Sequence, residues 1–216
     1  MQDINHHLTD ALLMAYSAGT LPEAFDVVVA THVSLCDECR ARMHEFDAVG
    51  GTMMAEAGIA ELSENSFEST MALITSSDWA EETRPIRPSK GAFPAPLRHY
   101  AGDDIDAVNW RKIGGGVQQA ILKTSGDATV RLLRIPGGVA VPDHGHRGTE
   151  LTLVLQGAFR DETDRFGPGD IEVANEDIEH KPVAEDGIDC ICLAATDAPL
   201  KFNAMIPRLA QGLFRI

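Results

Sequence analysis

Long apolar runs are missing: none of the 216 residues belongs to a stretch of about 18 consecutive apolar positions, so no membrane-spanning helix is expected. The opening MQDINHHLTD lacks both the basic start and the apolar core of an export signal. The expectation is a soluble, cytoplasmic protein with no membrane partner. Aromatics are also scarce, with two tryptophans and two tyrosines. Trp79, Trp110 and Phe202 stand isolated and read as packing anchors, which excludes a base-stacking platform. A phosphate-binding loop is absent too. Gly114 to Gly116 in KIGGGVQ are not followed by the Lys-Ser/Thr such a loop needs, so they read as a turn. Cysteine is limited to four residues in two tight pairs, Cys36/Cys39 and Cys190/Cys192. A chain of this length needs no disulfide staples, so metal binding or plain burial in a reducing compartment fits better.

Positive charge is the most unevenly missing feature. Residues 1–82 hold 15 acidic residues against only Arg40 and Arg42, a net of −13, while residues 83–216 hold 18 acids and 16 bases. Direct nucleic-acid binding requires a basic footprint, and the first segment has the opposite. Beyond ordinary solubility, such a surface attracts a basic protein partner, including one that itself binds DNA.

What is present divides the chain in two. Apolar residues recur at helical spacing from His7 to Ala18 through Leu8, Leu12, Leu13 and Tyr16, with Gly19 as the stop. Pro22 suits the first turn of a second helix running to about Val33, and a third is expected from Cys36 to about Val49, ahead of Gly50 and Gly51. Phe67 to Ile74 reads as a fourth. Residues 83–100 carry Pro85, Pro88, Pro94 and Pro96 and read as a linker. Beyond Ile113 come short β-prone runs, TVRLLRI, ELTLVLQG, DIEVA and DCICLA, punctuated by glycine and proline, which indicate an all-β sandwich or small barrel over about 101–200. The apolar tail 201–216, with Phe202, Ile206, Leu209, Leu213, Phe214 and Ile216, is expected to cover that barrel.

Two constellations carry chemistry. In HVSLCDEC a helix sets His32 beside Cys36, four positions on, and a turn before the third helix can bring Cys39 inward. Two thiolates and one imidazole leave tetrahedral zinc one ligand short. His7 beside the first apolar face is the expected fourth ligand, with His6 its close rival. A zinc held this way stabilises a unit too small for a large core. A redox CxxC is disfavoured, because such a motif follows a strand and this one sits among helices. In the second half, His144 and His146 lie two apart on an extended segment and share a face, Glu150 can rejoin them from the next stretch, and His180 returns on a later hairpin. Imidazoles with one carboxylate suit zinc, iron, manganese or nickel. Cys190 and Cys192, on alternate positions of a strand, are expected to point together into the β core, and His44 and His99 lack partners.

His7 with His32-Val33-Ser34-Leu35-Cys36-Asp37-Glu38-Cys39 resembles the zinc-binding anti-sigma factors. The second half is similar to the cupins. Gly138, His144, His146, Glu150 and Gly157 match the first cupin motif, and Gly169, Asp170 and His180 match the second. Asn175 and Asp177 replace that motif's usual turn proline and glycine, and Ala184 stands where its terminal asparagine is not evident. Together the halves resemble ChrR-type anti-sigma factors. This implies a multidomain α plus β protein, a small zinc-binding helical bundle followed by a cupin-like antiparallel β-barrel of jelly-roll type, with zinc in both sites. It further implies a non-enzymatic inhibitor that holds an extracytoplasmic-function sigma factor, one to one, until singlet oxygen or a related oxidant releases it. The rival reading is a metal-dependent cupin oxygenase or hydrolase with an accessory helical unit. No further acid, base or nucleophile stands out beside the second constellation to support it.

Overall fold

The computed structural model describes residues 3–76, 93–126 and 128–199, together with the backbone of 201–202. Trp79, the prolines at 85 and 88, the side chain of Phe202 and the tail from 203 to 216 lie outside the described residues. Residues 3–9 form a lead-in without regular structure, and the first helix, α1 (Asp10–Ser17), starts three residues later than the apolar spacing predicts. Thr9 accounts for this: its hydroxyl accepts the Leu12 amide hydrogen at 3.3 Å, making it the N-cap. His7 is therefore placed by the lead-in and not by a helix. Gly19, with φ 65°, ends the helix as expected.

Pro22 caps α2 (Glu23–Leu35), in which Ala24, Phe25, Val27, Val28, Val29, Thr31, His32 and Val33 are all buried. A helix buried on nearly every side must be enclosed. The enclosing elements are α1, α3 (Asp37–Glu56), α5 (Ala95–Ala101) and the main sheet. Cys36 is at once the C-cap of α2 and the N-cap of α3, its sulfur accepting the Cys39 amide hydrogen at 3.4 Å. α3 does not stop before Gly50 and Gly51 but continues to Glu56. Each glycine costs a helix interior about 1 kcal/mol, and the flanking Ala48, Met53, Met54 and Ala55 are good enough helix formers to carry it through. α4 (Ser66–Thr75) forms where apolar spacing predicted it. The end of the predicted linker is not a spacer, since α5 begins at Ala95 after Pro94 and packs on α2.

In chain order the strands are β1 (Arg111–Gly114), β2 (Val117–Leu122), β3 (Thr129–Ile135), β4 (His144–Gly145), β5 (Glu150–Gln156), β6 (Phe159–Arg160), β7 (Arg165–Phe166), β8 (Ile171–Ala174), β9 (Glu179–His180), β10 (Val183–Ala184), β11 (Cys190–Thr196) and β12 (Lys201–Phe202). They form one six-stranded sheet, β1-β2-β3-β11-β5-β8, and two three-stranded ones, β10-β6-β7 and β12-β4-β9, with every pairing antiparallel. The expected antiparallel unit is present, but among the described residues no ladder closes it into a barrel or a jelly roll. The strands of the small sheets are two residues long and lie among Pro142, Pro168 and Pro182, which cannot donate to a ladder.

β11 divides the core. Its Ile191, Leu193 and Ala195 join Leu132, Leu151, Val28, Phe25 and Leu13 in one cluster shared by helices and sheet. Its Cys190 and Cys192 face the other way, among Val154, Phe159, Phe166 and Ile135. Gly157 turns the chain after β5 with φ 69°, and a side chain there would meet the Asp189 carbonyl oxygen at 2.8 Å.

Candidate metal centres

His7, His32, Cys36 and Cys39 converge where the lead-in, the last turn of α2 and the first turn of α3 meet, with one potential ligand atom from each within 4.8 Å of all the others. His32 Nε2 is 3.3 Å from Cys39 Sγ, and His7 Nδ1 is 3.3 Å from Cys36 Sγ and 3.7 Å from Cys39 Sγ. A sulfur and a nitrogen bound to one tetrahedral zinc, at lengths of about 2.3 and 2.0–2.1 Å, stand about 3.5 Å apart. The four atoms fit such an ion.

The remaining ring nitrogens are also provided for. His7 Nε2 lies 3.3 Å from the Glu38 carboxylate. His32 Nδ1 donates to the Gly169 carbonyl oxygen at 3.0 Å, which fixes the tautomer and leaves Nε2 free to bind. Burial holds the His32 imidazole down at about 4, so the ring is neutral, as a ligand must be. Burial also pushes the Cys39 thiol up, so the thiolate needs a cation beside it. His6, the rival ligand, is directed elsewhere. Its ring packs against Phe166 at a tilt, with centroids 4.3 Å apart, and reaches Asp164 at 3.1 Å.

The second centre is a histidine triad. His144 and His180 are cross-strand partners of β4 and β9, and His180 Nε2 stands 3.3 Å from both His144 Nε2 and His146 Nε2. His144 Nδ1 donates to the Pro142 carbonyl oxygen at 2.8 Å, and His180 Nδ1 lies 2.9 Å from both Asp161 Oδ2 and Glu172 Oε1. These partners turn the Nε2 of His144 and of His180 inward, toward that of His146. Two nitrogens on a tetrahedral zinc are separated by about 3.3 Å, so the triad also fits an ion. Glu150 is not in the tight group. One of its oxygens is 3.7 Å from His146 Nδ1 and the other accepts the Thr152 hydroxyl hydrogen at 3.0 Å.

Burial pulls His144 and His146 below the ordinary imidazole value. It acts in the same sense on His180, but hydrogen bonds and negative charge from Glu172 and Asp161 outweigh it and hold that ring at about 9. The triad therefore attracts one positive charge, which a proton or a metal ion can supply. Burial raises the Glu172 carboxyl, whereas hydrogen bonds from Thr163 and His180 overcome burial at Asp161 and hold it far down. Cys190 and Cys192 are buried with their sulfurs 3.6 Å apart, and their contact together with burial pushes the Cys192 thiol well up.

Sequence spacing did not single out Glu38, Asp161, Glu172 or the carbonyl of Gly169. Glu172 could be traced as an acidic residue in an otherwise apolar strand, which demands a buried partner. Asp161 and Gly169 reach their rings only through tertiary approach.

A Cys/His cluster where short helices meet an antiparallel unit with its own histidine triad defines a protein with two clusters capable of holding a metal ion, helical in its first part and β in its second. The ChrR cupin-like domain family matches residues 98–198. The anti-sigma-E factor ChrR of Cereibacter sphaeroides is 62% identical over 213 residues, covering 99% of each chain. The chain belongs to the ChrR family of anti-sigma factors. In the crystal structure of Rhodobacter sphaeroides SigE in complex with the anti-sigma ChrR, a chain 61% identical superposes with a TM-score of 0.81, covering 90% of this protein and 100% of that chain. Among the described residues no helix is long and apolar enough to cross a membrane.

Proposed function

We propose that this protein is a cytoplasmic inhibitor that sequesters an extracytoplasmic-function sigma factor one to one, and so keeps it from RNA polymerase. The observation that carries this reading is the apolar surface that the late helices expose among the described residues. None of the α4 residues is buried, and Phe67 is 73% exposed. Met53 and Met54 at the end of α3 are 68% and 79% exposed. A helix of ten residues, none of them buried among the described residues, gains little from packing in water, so a partner that covers its apolar side chains adds to its stability. The acidic excess of residues 1–82 complements the basic regions with which such a partner contacts DNA.

Residues 1–82 are the inhibitory unit in this reading, 101–200 a cupin-like antiparallel unit that senses singlet oxygen or a related oxidant, and 201–216 its cover. Zinc bound by His7, His32, Cys36 and Cys39 would fix the junction of lead-in, α2 and α3. His144, His146 and His180 would hold a second ion, with zinc the first choice and manganese, iron or nickel compatible with the donors, and Glu150 would join them only by swinging in from its place beside His146 Nδ1. The test is transcription in vitro from a promoter read by an extracytoplasmic-function sigma factor of the same genome. The chain should abolish the transcript at equimolar ratio, and the Phe67→Asp chain should not. A transcript that survives excess protein contradicts the reading.

A further inference from the structure

We propose that Asp170 is a positioning residue for the first metal centre: its buried carboxylate, carried by the sheet unit, holds the lead-in so that His7 meets Cys36 and Cys39. The inference rests on the reading of those residues, with His32, as one metal site.

Past His7 the lead-in is held within the helical unit, where Leu8 is buried and Arg42 of α3 donates to its carbonyl oxygen at 3.3 Å. Ahead of His7 it has no secondary structure, and the fixing on that side comes from the Gly167–Asp170 turn. Asp170 is 3% exposed, and its Oδ1 accepts the backbone amide hydrogens of Asn5 at 2.6 Å and His6 at 3.0 Å. Its Oδ2 accepts that of Gly167 at 2.8 Å. A buried carboxylate satisfied by backbone donors has a fixed direction, and removing it would orphan two lead-in amides. On the far side Ile171 donates its amide hydrogen to the His6 carbonyl oxygen at 3.3 Å, so residues 5 and 6 are gripped from both edges.

Gly169 completes the seat. It adopts φ 92°, and a side chain there would meet Ile4 at 2.7 Å, so Ile4 rests directly on its backbone. Its carbonyl oxygen is the acceptor that orients His32. Two of the four ligands thus depend on one turn of the sheet unit, while Cys36 and Cys39 are set by α3. The turn is locked to β5 by the Gly169 amide donating to the Val154 oxygen at 2.8 Å and the Val154 amide donating to the Asp170 oxygen at 3.0 Å. It leads directly into β8, where Glu172 contacts His180.

The experiment is zinc transfer from the full-length zinc-loaded chain to a chromogenic chelator, with the alkylation rate of Cys36 and Cys39 read by mass spectrometry. Asp170→Asn keeps the size and weakens the grip, and should speed both rates about tenfold or more, as loss of an outer partner of a metal ligand does. Asn5→Pro removes one amide donor from the other side and should act in the same direction, which keeps the test open if the first variant folds poorly. Leu193→Ala is the control for lost stability, since it weakens the shared core without touching the turn, and it should speed both rates less than either variant does. Wild-type rates in both Asp170→Asn and Asn5→Pro would overturn the proposal, as would equal acceleration by Leu193→Ala. A wild-type chain that holds no zinc on these four residues would overturn the metal reading and this inference with it.

Discussion

His32 and Gly169 lie 137 positions apart and are joined by one hydrogen bond of 3.0 Å, from an imidazole Nδ1–H to a backbone carbonyl oxygen. The bond faces a candidate zinc ligand of the helical part toward the first turn of the strand that carries Glu172 in the β part. The two parts also share an apolar cluster, in which Leu13 and Val28 meet Leu132 and Leu193. A change at one centre therefore has a short physical route to the other.

Two metal ions per chain are expected by elemental analysis of protein purified without chelator. Cys36→Ser should lose one ion and His180→Ala the other, each leaving its counterpart in place. Glu172→Gln should weaken the triad's affinity about tenfold or more while keeping its ligands, because the His180 ring loses an acceptor. Loss of both ions in every variant would show that the clusters are not separate sites.

Leu13→Ala and Leu193→Ala should each lower stability by about 2–5 kcal/mol, since both side chains are fully buried. Because they belong to one cluster, urea unfolding followed by helical circular dichroism and by Trp110 fluorescence should give one coincident transition in wild type and in both variants. Two separated transitions would mean that helices and sheet unfold independently.

Much of this organisation was legible in the sequence because local signals were strong. Pro22 and Gly19 punctuate the helices, and alternation in CICLAAT places Ile191 and Cys192 on opposite faces of β11, whereas apolar spacing misses the cap at Thr9 and the first helix begins later than that spacing suggests. The spacing of His144 and His146 also survives in the triad. Other features depend on chain segments meeting in space. α3 passes through Gly50 and Gly51 because intrinsic cost at a glycine is small beside the propensity of its neighbours. The choice of His7 over His6 is made by Asp170 and Phe166, which draw residue 6 toward the sheet. Asp161 meets His180 through the loop after β6, and no periodicity encodes that approach.

Stability should depend on pH through Glu23, which ties α2 to the loop after β2. Its carboxylate accepts the Ser125 amide and hydroxyl hydrogens at 2.6 Å each and the Tyr100 hydroxyl hydrogen at 2.9 Å. These bonds, those of Ser125 first, hold its acidity below the ordinary 4.5. A lowered folded value means the contribution is present above pH 4.5 and is lost as pH falls through the folded value beneath it. Glu23→Gln should flatten that part of a melting-temperature profile, and an unchanged profile would remove Glu23 from the account.

Met53→Asp and Phe67→Asp should leave the melting temperature of the isolated chain unchanged, because both side chains are exposed. Each should cost the sigma-factor complex about 2 kcal/mol or more if the face is its apolar anchor. Unchanged binding by both variants would place the interface elsewhere.

A metal-held helical unit that presents an apolar, acidic face to a sigma factor is tested most directly by calorimetric titration of the zinc-loaded full-length chain with purified extracytoplasmic-function sigma factors of the same genome, repeated after chelation. Tight one-to-one binding to one of them, lost on removal of zinc and regained on its return, is the predicted result. A folded, zinc-loaded chain that binds none of them, or binds equally well without metal, would contradict the account.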